Sequence, residues 1–143
     1  MSVEAEIETY RGVFYPWQID HMDHMNVQFY TACFDAATWH LFAALGMTPG
    51  YLKQNRRGMA AVEQRTLYQR ELHAGALIRV TSELLEMKPK TMRFLHRMYD
   101  ERRGSGLDRT GRSAPPTRAG RCRLRLTSSS AMPALIDAVA GSA

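Results

Sequence analysis

The seven residues Asp20-His21-Met22-Asp23-His24-Met25-Asn26 place two carboxylates and two imidazoles directly ahead of a long apolar run. If that run is a helix, its first N–H groups, from about Val27 onward, lack intrahelical acceptors and carry the positive end of the helix dipole. A carbonyl held there is polarised, and the oxyanion of a tetrahedral transition state is stabilised. A neighbouring carboxylate can then attack the carbonyl carbon or activate a water to do so. Acyl transfer is therefore a coherent use of this loop. Two other readings stay open on the residues alone. One is a solvated loop that caps the helix. The other is a metal site, because His21-Met22-Asp23-His24 matches the second half of a His-x-His-x-Asp-His zinc pattern. Against the metal, the first His of that pattern falls on Ile19, and the pattern needs further ligands.

The elements that would hold this loop follow from patterning. Residues 6–15 are rich in aromatic and β-branched side chains and read as a first strand, stopped by Pro16. A polar loop runs from Trp17 to Met25. Asn26 is a suitable N-cap and Gly46 a suitable C′ residue for a helix over Val27–Leu45. Apolar residues occupy nearly every face of that helix, so it is expected to be wrapped by the rest of the fold. Pro49-Gly50 opens a short helical connection that closes at Gly58. Strands follow over Met59–Glu71, Ala76–Met87 and Thr91–Asp100, separated by His73-Ala74-Gly75 and Lys88-Pro89-Lys90 turns. Ile78, Val80, Ser82 and Leu84 share one face of their strand, and Met92, Phe94, His96 and Met98 one face of the next. The expected class is α+β, one helix lying on a curved antiparallel meander.

The chain has 143 residues, 45% of them hydrophobic, enough for one domain with a real core. No apolar run approaches the length of a membrane span, and the acidic start (Glu4, Glu6, Glu8) is unlike a secretory signal. Two cysteines, Cys33 and Cys122, are too few for a disulfide framework, which points to a reducing cytoplasm. The formal charge of +5 is unevenly placed. Residues 1–100 hold equal numbers of acids and bases, whereas 101–143 hold eight Arg against three acids.

The stretch Tyr15-Pro16-Trp17-Gln18-Ile19-Asp20-His21-Met22-Asp23-His24-Met25-Asn26-Val27, with Phe34-Asp35-Ala36-Ala37-Thr38, resembles the hotdog-fold acyl-CoA thioesterases of the 4-hydroxybenzoyl-CoA thioesterase-like branch. Arg57–Val62, Tyr68–Glu71 and Lys88–Thr91 extend the resemblance, and the run Tyr10-Arg11-Gly12-Val13 with Tyr15-Pro16-Trp17 and Asp20-His21-Met22 is also similar to betainyl-CoA thioesterases. The resemblance implies hydrolysis of an acyl-CoA to a carboxylic acid and coenzyme A, in a homodimer or homotetramer with its site at a subunit interface. No cofactor or metal is implied, since coenzyme A belongs to the substrate. By position, Asp20 is the catalytic carboxylate, the Val27 N–H the oxyanion donor, and His24 and Asn26 polar residues that shape the loop. Asp23 stands where many relatives carry Gly, a position that favours φ > 0, and it sets a second anion beside Asp20. Substrate-binding candidates are Asp23, Asp35, Glu63, Lys88 and Lys90, the lysines for the phosphates of coenzyme A. A structural hydrogen-bonding role is the alternative for Asp35 and Glu63, and a core role for His96.

Residues 101–130, rich in Arg, Gly, Ser and Pro, show none of the apolar strand that the resemblance implies there. The sequence therefore divides into a thioesterase-like domain over 1–100 and an Arg-rich tail over 101–143, with a possible short helix over 131–140. A local reading-frame shift and a genuine basic tail both account for the tail. The rival functions are an inactive hotdog protein and a nucleic-acid binder acting through the tail.

Overall fold

The helix the sequence anticipates is present as α1 (Val27–Ala44), and both of its ends form as the residues suggest. Asn26 is its N-cap, accepting the Gln28 N–H on Oδ1 at 3.1 Å. Gly46 follows the C-cap at φ 85°, a conformation open to glycine at little cost. Tyr30, Cys33, Phe34, Ala37, Thr38, Leu41 and Phe42 form one buried stripe. The opposite side, including Val27 and Trp39, is exposed in the single chain. The helix is thus covered on one side, not wrapped as its composition suggests.

A computed structural model describes residues 6–101 and 117–128. Besides α1 it contains β1 (Ile7–Val13), a short α2 (Pro49–Gln54), β2 (Met59–Tyr68), β3 (Leu77–Met87), β4 (Thr91–Asp100) and β5 (Thr117–Ser128). The strands form one antiparallel sheet in the order β1-β3-β4-β5-β2. Its inner face carries Ile78, Val80 and Leu84 of β3, Met92, Phe94 and Met98 of β4, and Cys122, Leu124 and Leu126 of β5, all buried with the α1 stripe. The outer face is a lattice of charge. There Arg79 pairs with Glu101, Arg97 with Glu83 at 2.8 Å, Arg93 with Glu86 at 3.6 Å and Arg125 with Glu63 at 3.4 Å.

Two expectations are corrected. Residues 117–128 are not an irregular tail: β5 is an interior strand, hydrogen-bonded to β4 on one side and β2 on the other. The Arg-rich composition hides a period of two. Gly120, Cys122, Leu124 and Leu126 are buried, while Arg118, Arg121 and Arg125 are exposed. A boundary at residue 100 would cut through this sheet. The meander is also interrupted, because among the described residues β2 pairs with β5 and not with β3. Calling 117–128 a tail would leave β2 without any sheet to join. The segment 131–140 lies outside the described residues.

Candidate active site

The 13 residues between β1 and α1 are anchored in the core by Phe14 and Met25 and shaped between those anchors by backbone bonds. Pro16–Gln18 forms a 3₁₀ turn, and Ile19 bridges to Met25. Inside that bridge the Asp20 N–H donates to His24 O at 2.9 Å, and the Asp23 N–H to Asp20 O at 3.1 Å. The Asp20 side chain takes part: its Oδ1 accepts the Met22 N–H at 2.9 Å, an Asx turn that fixes the carboxylate against its own loop. Asp23 sits at φ 61°, the left-handed region the sequence expects at a glycine position. Asp tolerates it better than most residues, at a cost of about 1 kcal/mol.

The loop is tied to the β2–β3 connection. The Met25 N–H donates to Leu72 O at 2.9 Å, and His73 Nδ1–H to Asp23 O at 3.2 Å. His24 Nε2 lies 3.1 Å from Glu71 Oε2, with its ring edge-on to His73. The Asn26 N–H donates to Gln18 O at 3.0 Å, which seats the start of α1 on the loop. Gln28 and Phe29 spend their N–H groups on Asn26 Oδ1 and O, leaving the Val27 N–H with no acceptor among the described residues. Val27 itself is 57% exposed.

Asp20, Asp23, His24, Asn26 and Val27 are therefore gathered in one place. Glu71 and His73 join them, two residues the sequence reading placed only at a strand end and in a turn. The same loop carries an exposed aromatic group: Trp17 stacks on Tyr15 at 6.0 Å and meets Phe29 edge-on at 5.7 Å.

The remaining candidates are elsewhere in the chain. Asp35 is exposed on α1, eight residues or about 12 Å along the axis from Val27. Glu63 is on the outer face of the sheet against Arg125. Lys88, 3.4 Å from Glu86, and the exposed Lys90 occupy the β3–β4 turn. The loop after β1 lies at the Leu77 end of β3, so the lysines are a strand length, about 33 Å, away. A cavity of about 330 Å³ lined by Glu8, Thr9, Tyr10, Arg11 and His40 is also distinct from the site. Among the described residues no three His, Cys, Asp or Glu side chains are grouped as metal ligands, and no helix is long and apolar enough to cross a membrane.

Solved structures with this fold include a hypothetical protein from Staphylococcus aureus in complex with CoA. It is 15% identical, with a TM-score of 0.78, and the match covers 99% of this chain and 87% of that one. A hypothetical protein from Thermus thermophilus is 14% identical at a TM-score of 0.77, covering 96% and 97% of the two chains. A gentisyl-coenzyme A thioesterase is 15% identical at a TM-score of 0.71, covering 91% and 96%. These likenesses establish the hotdog fold. No curated protein matches the chain. The family model described as the thioesterase-like superfamily matches residues 14–124, from the end of β1 into β5. A chain matched over the loop before α1, α1 itself, β2, β3, β4 and most of β5 belongs to the thioesterase-like superfamily.

Proposed function

We propose that the protein hydrolyses an acyl-CoA thioester to a carboxylic acid and coenzyme A. The observation that carries this reading is the unoccupied Val27 N–H at the start of an 18-residue helix, beside a carboxylate already held in place by its own turn. The thioester oxygen is set against that N–H and the helix dipole. Asp20 then acts in one of two ways. As a general base it takes a proton from a water whose oxygen attacks the carbonyl carbon. As a nucleophile its own oxygen attacks, and water hydrolyses the resulting anhydride. In both, the C–S bond breaks and coenzyme A leaves as the thiol. His24, paired with Glu71, and Asn26 hold the loop and the helix start in register. Coenzyme A enters as part of the substrate, and the chemistry calls for no cofactor.

The reading includes a homo-oligomer, a dimer or a tetramer. β2 is an edge strand with Ala60–Arg65 exposed, a surface suited to strand pairing with a second copy. Antiparallel pairing of two β2 strands sets the Met59 end of one copy beside the Tyr68 end of the other. The first end carries Lys88 and Lys90, and the second carries the Asp20 loop through Tyr30 and Tyr68. Such an interface brings the lysines toward a site from which they are separated within one chain. The buried free thiols Cys33 and Cys122 fit a reducing cytoplasmic location.

For the acyl group, the 70% exposed indole of Trp17 lies close in sequence to Asp20 and Asp23. An aromatic face with nearby carboxylates suits a cationic acyl group such as betainyl. The test is a panel of acyl-CoA substrates, betainyl-CoA among them, followed by thiol release. Turnover of at least one member is expected. A folded protein that turns over none refutes the activity, and equal rates on cationic and neutral acyl groups refute the assignment of the acyl group.

A further inference from the structure

One buried polar system plays no part in the chemistry above. His96 of β4 is fully buried between Phe34, stacked at 5.9 Å, and Phe94. Its Nε2 lies 2.9 Å from Thr38 Oγ1 of α1, and its Nδ1 lies 2.5 Å from Ser82 Oγ of β3. Ser82 Oγ in turn lies 2.6 Å from Thr9 Oγ1 of β1. The chain of bonds therefore crosses three strands and ends on the helix.

Its direction can be read from its two ends. Each end is a carbonyl, which can only accept, within reach of a threonine hydroxyl: Phe34 O, 2.9 Å from Thr38 Oγ1, and Val80 O, 3.4 Å from Thr9 Oγ1. The first is a full hydrogen bond and the second is at the margin. Thr38 therefore spends its proton on Phe34 O and accepts from His96 Nε2–H. With Nε2 protonated, the neutral ring accepts the Ser82 hydroxyl on Nδ1, and Ser82 accepts from Thr9.

The consequence lies in α1. Its exposed side mixes Val27, Ala32, Trp39, Ala43 and Ala44 with Gln28, Thr31, Asp35 and His40, so burial sets which side of α1 faces the sheet but not its fine rotation about the axis. Directional bonds supply what non-directional packing lacks. On the buried stripe they include Thr38 to His96 and the Tyr30 hydroxyl to Arg70 O at 3.2 Å.

We propose that His96 is a positioning residue that, through Thr38, sets the rotation of α1 about its axis and with it the direction of the Val27 N–H. A backbone atom about 2.3 Å from the helix axis moves about 1 Å for a rotation of about 25°. A 1 Å misplacement at a reacting centre costs on the order of a hundredfold in rate.

The structural part of this proposal is independent of the thioesterase reading, and its test is too. Residual dipolar couplings of the α1 amides are compared in wild type, His96→Phe and Thr38→Val, the second variant serving if the first does not fold. Both are expected to shift the phase of the periodic coupling pattern relative to the sheet, and His96→Gln, which keeps an N–H for Thr38, restores it. Nitrogen NMR of wild-type His96 is expected to show a protonated Nε2 and a bare Nδ1. An unchanged phase in both variants, or the opposite tautomer, overturns the proposal. Where the thioesterase reading holds, His96→Phe lowers kcat by about tenfold to a hundredfold with KM within about twofold. A kcat within twofold of wild type overturns the catalytic consequence.

Discussion

Acid should weaken this fold through one ring. Burial of His96 disfavours its charged form and lowers its pKa from 6.5 to about 3. Above pH 6.5 the ring is neutral in both folded and unfolded chains and leaves the stability independent of pH. Below that value only the unfolded chain takes up the proton, until the folded ring also titrates near pH 3. Stability is therefore lost as pH falls through this window, at up to about 1.4 kcal/mol per pH unit. Integrated from pH 7 to pH 4, the loss from His96 alone is about 3 kcal/mol. That is a large share of the stability of a domain of this size. His96→Gln keeps a donor and an acceptor in place but cannot titrate. Urea unfolding at intervals between pH 7 and pH 4 should show the variant gaining about 3 kcal/mol on wild type across the range. Carboxylates also contribute in acid. Burial opposes ionisation of Glu6, but the hydrogen bond from Thr81 and the charge of Arg97 outweigh it and hold that carboxyl below its usual range. This contribution is common to both proteins and cancels in the difference. Parallel stability curves for wild type and variant would refute the reasoning.

The positive φ of Asp23 makes Asp23→Gly stabilising by up to about 1 kcal/mol, whereas the β-branched Asp23→Val destabilises by about 1–2 kcal/mol. Calorimetric Tm values moving in opposite directions would bear this out, and a fall in both would contradict it. If β5 is an interior strand, Leu124→Ala should cost about 2–4 kcal/mol in urea unfolding, and the exposed neighbour Arg125→Ala no more than about 0.5 kcal/mol. Equal, small effects would return these residues to a tail.

Local signals made most of the fold legible. α1 has a capping Asn and a terminal Gly, and β3 and β4 alternate cleanly, so their positions follow from neighbours in sequence. Sheet order does not, because it depends on pairing between distant residues. Composition hides the strand character of Arg118–Arg125 and with it the placement of β2, whose partner among the described residues is β5. The alternation of Gly120, Cys122, Leu124 and Leu126 was the available signal. The same limit governs the site. Asp20, Asp23, His24, Asn26 and Val27 are close in sequence and were found together. Glu71 and His73 reach the loop through pairings distant in sequence, Met25 with Leu72 O, His24 with Glu71 and His73 with Asp23 O, which no local pattern announces. Residue type does not reveal that Glu63 points to the outer face of the sheet, or that a strand length separates Lys88 and Lys90 from the loop.

The central claim is that the Asp20 carboxylate drives the attack on a thioester held at the start of α1. Asn at position 20 is nearly isosteric and keeps an oxygen for the Met22 N–H, so the turn survives while the negative charge is lost. The most direct measurement is the rate of thiol release from the best acyl-CoA substrate by wild type and Asp20→Asn, both shown to fold equally. The account predicts a fall in kcat of about a hundredfold to ten-thousandfold with the oligomer and Tm unchanged. A variant that retains the wild-type kcat would contradict it.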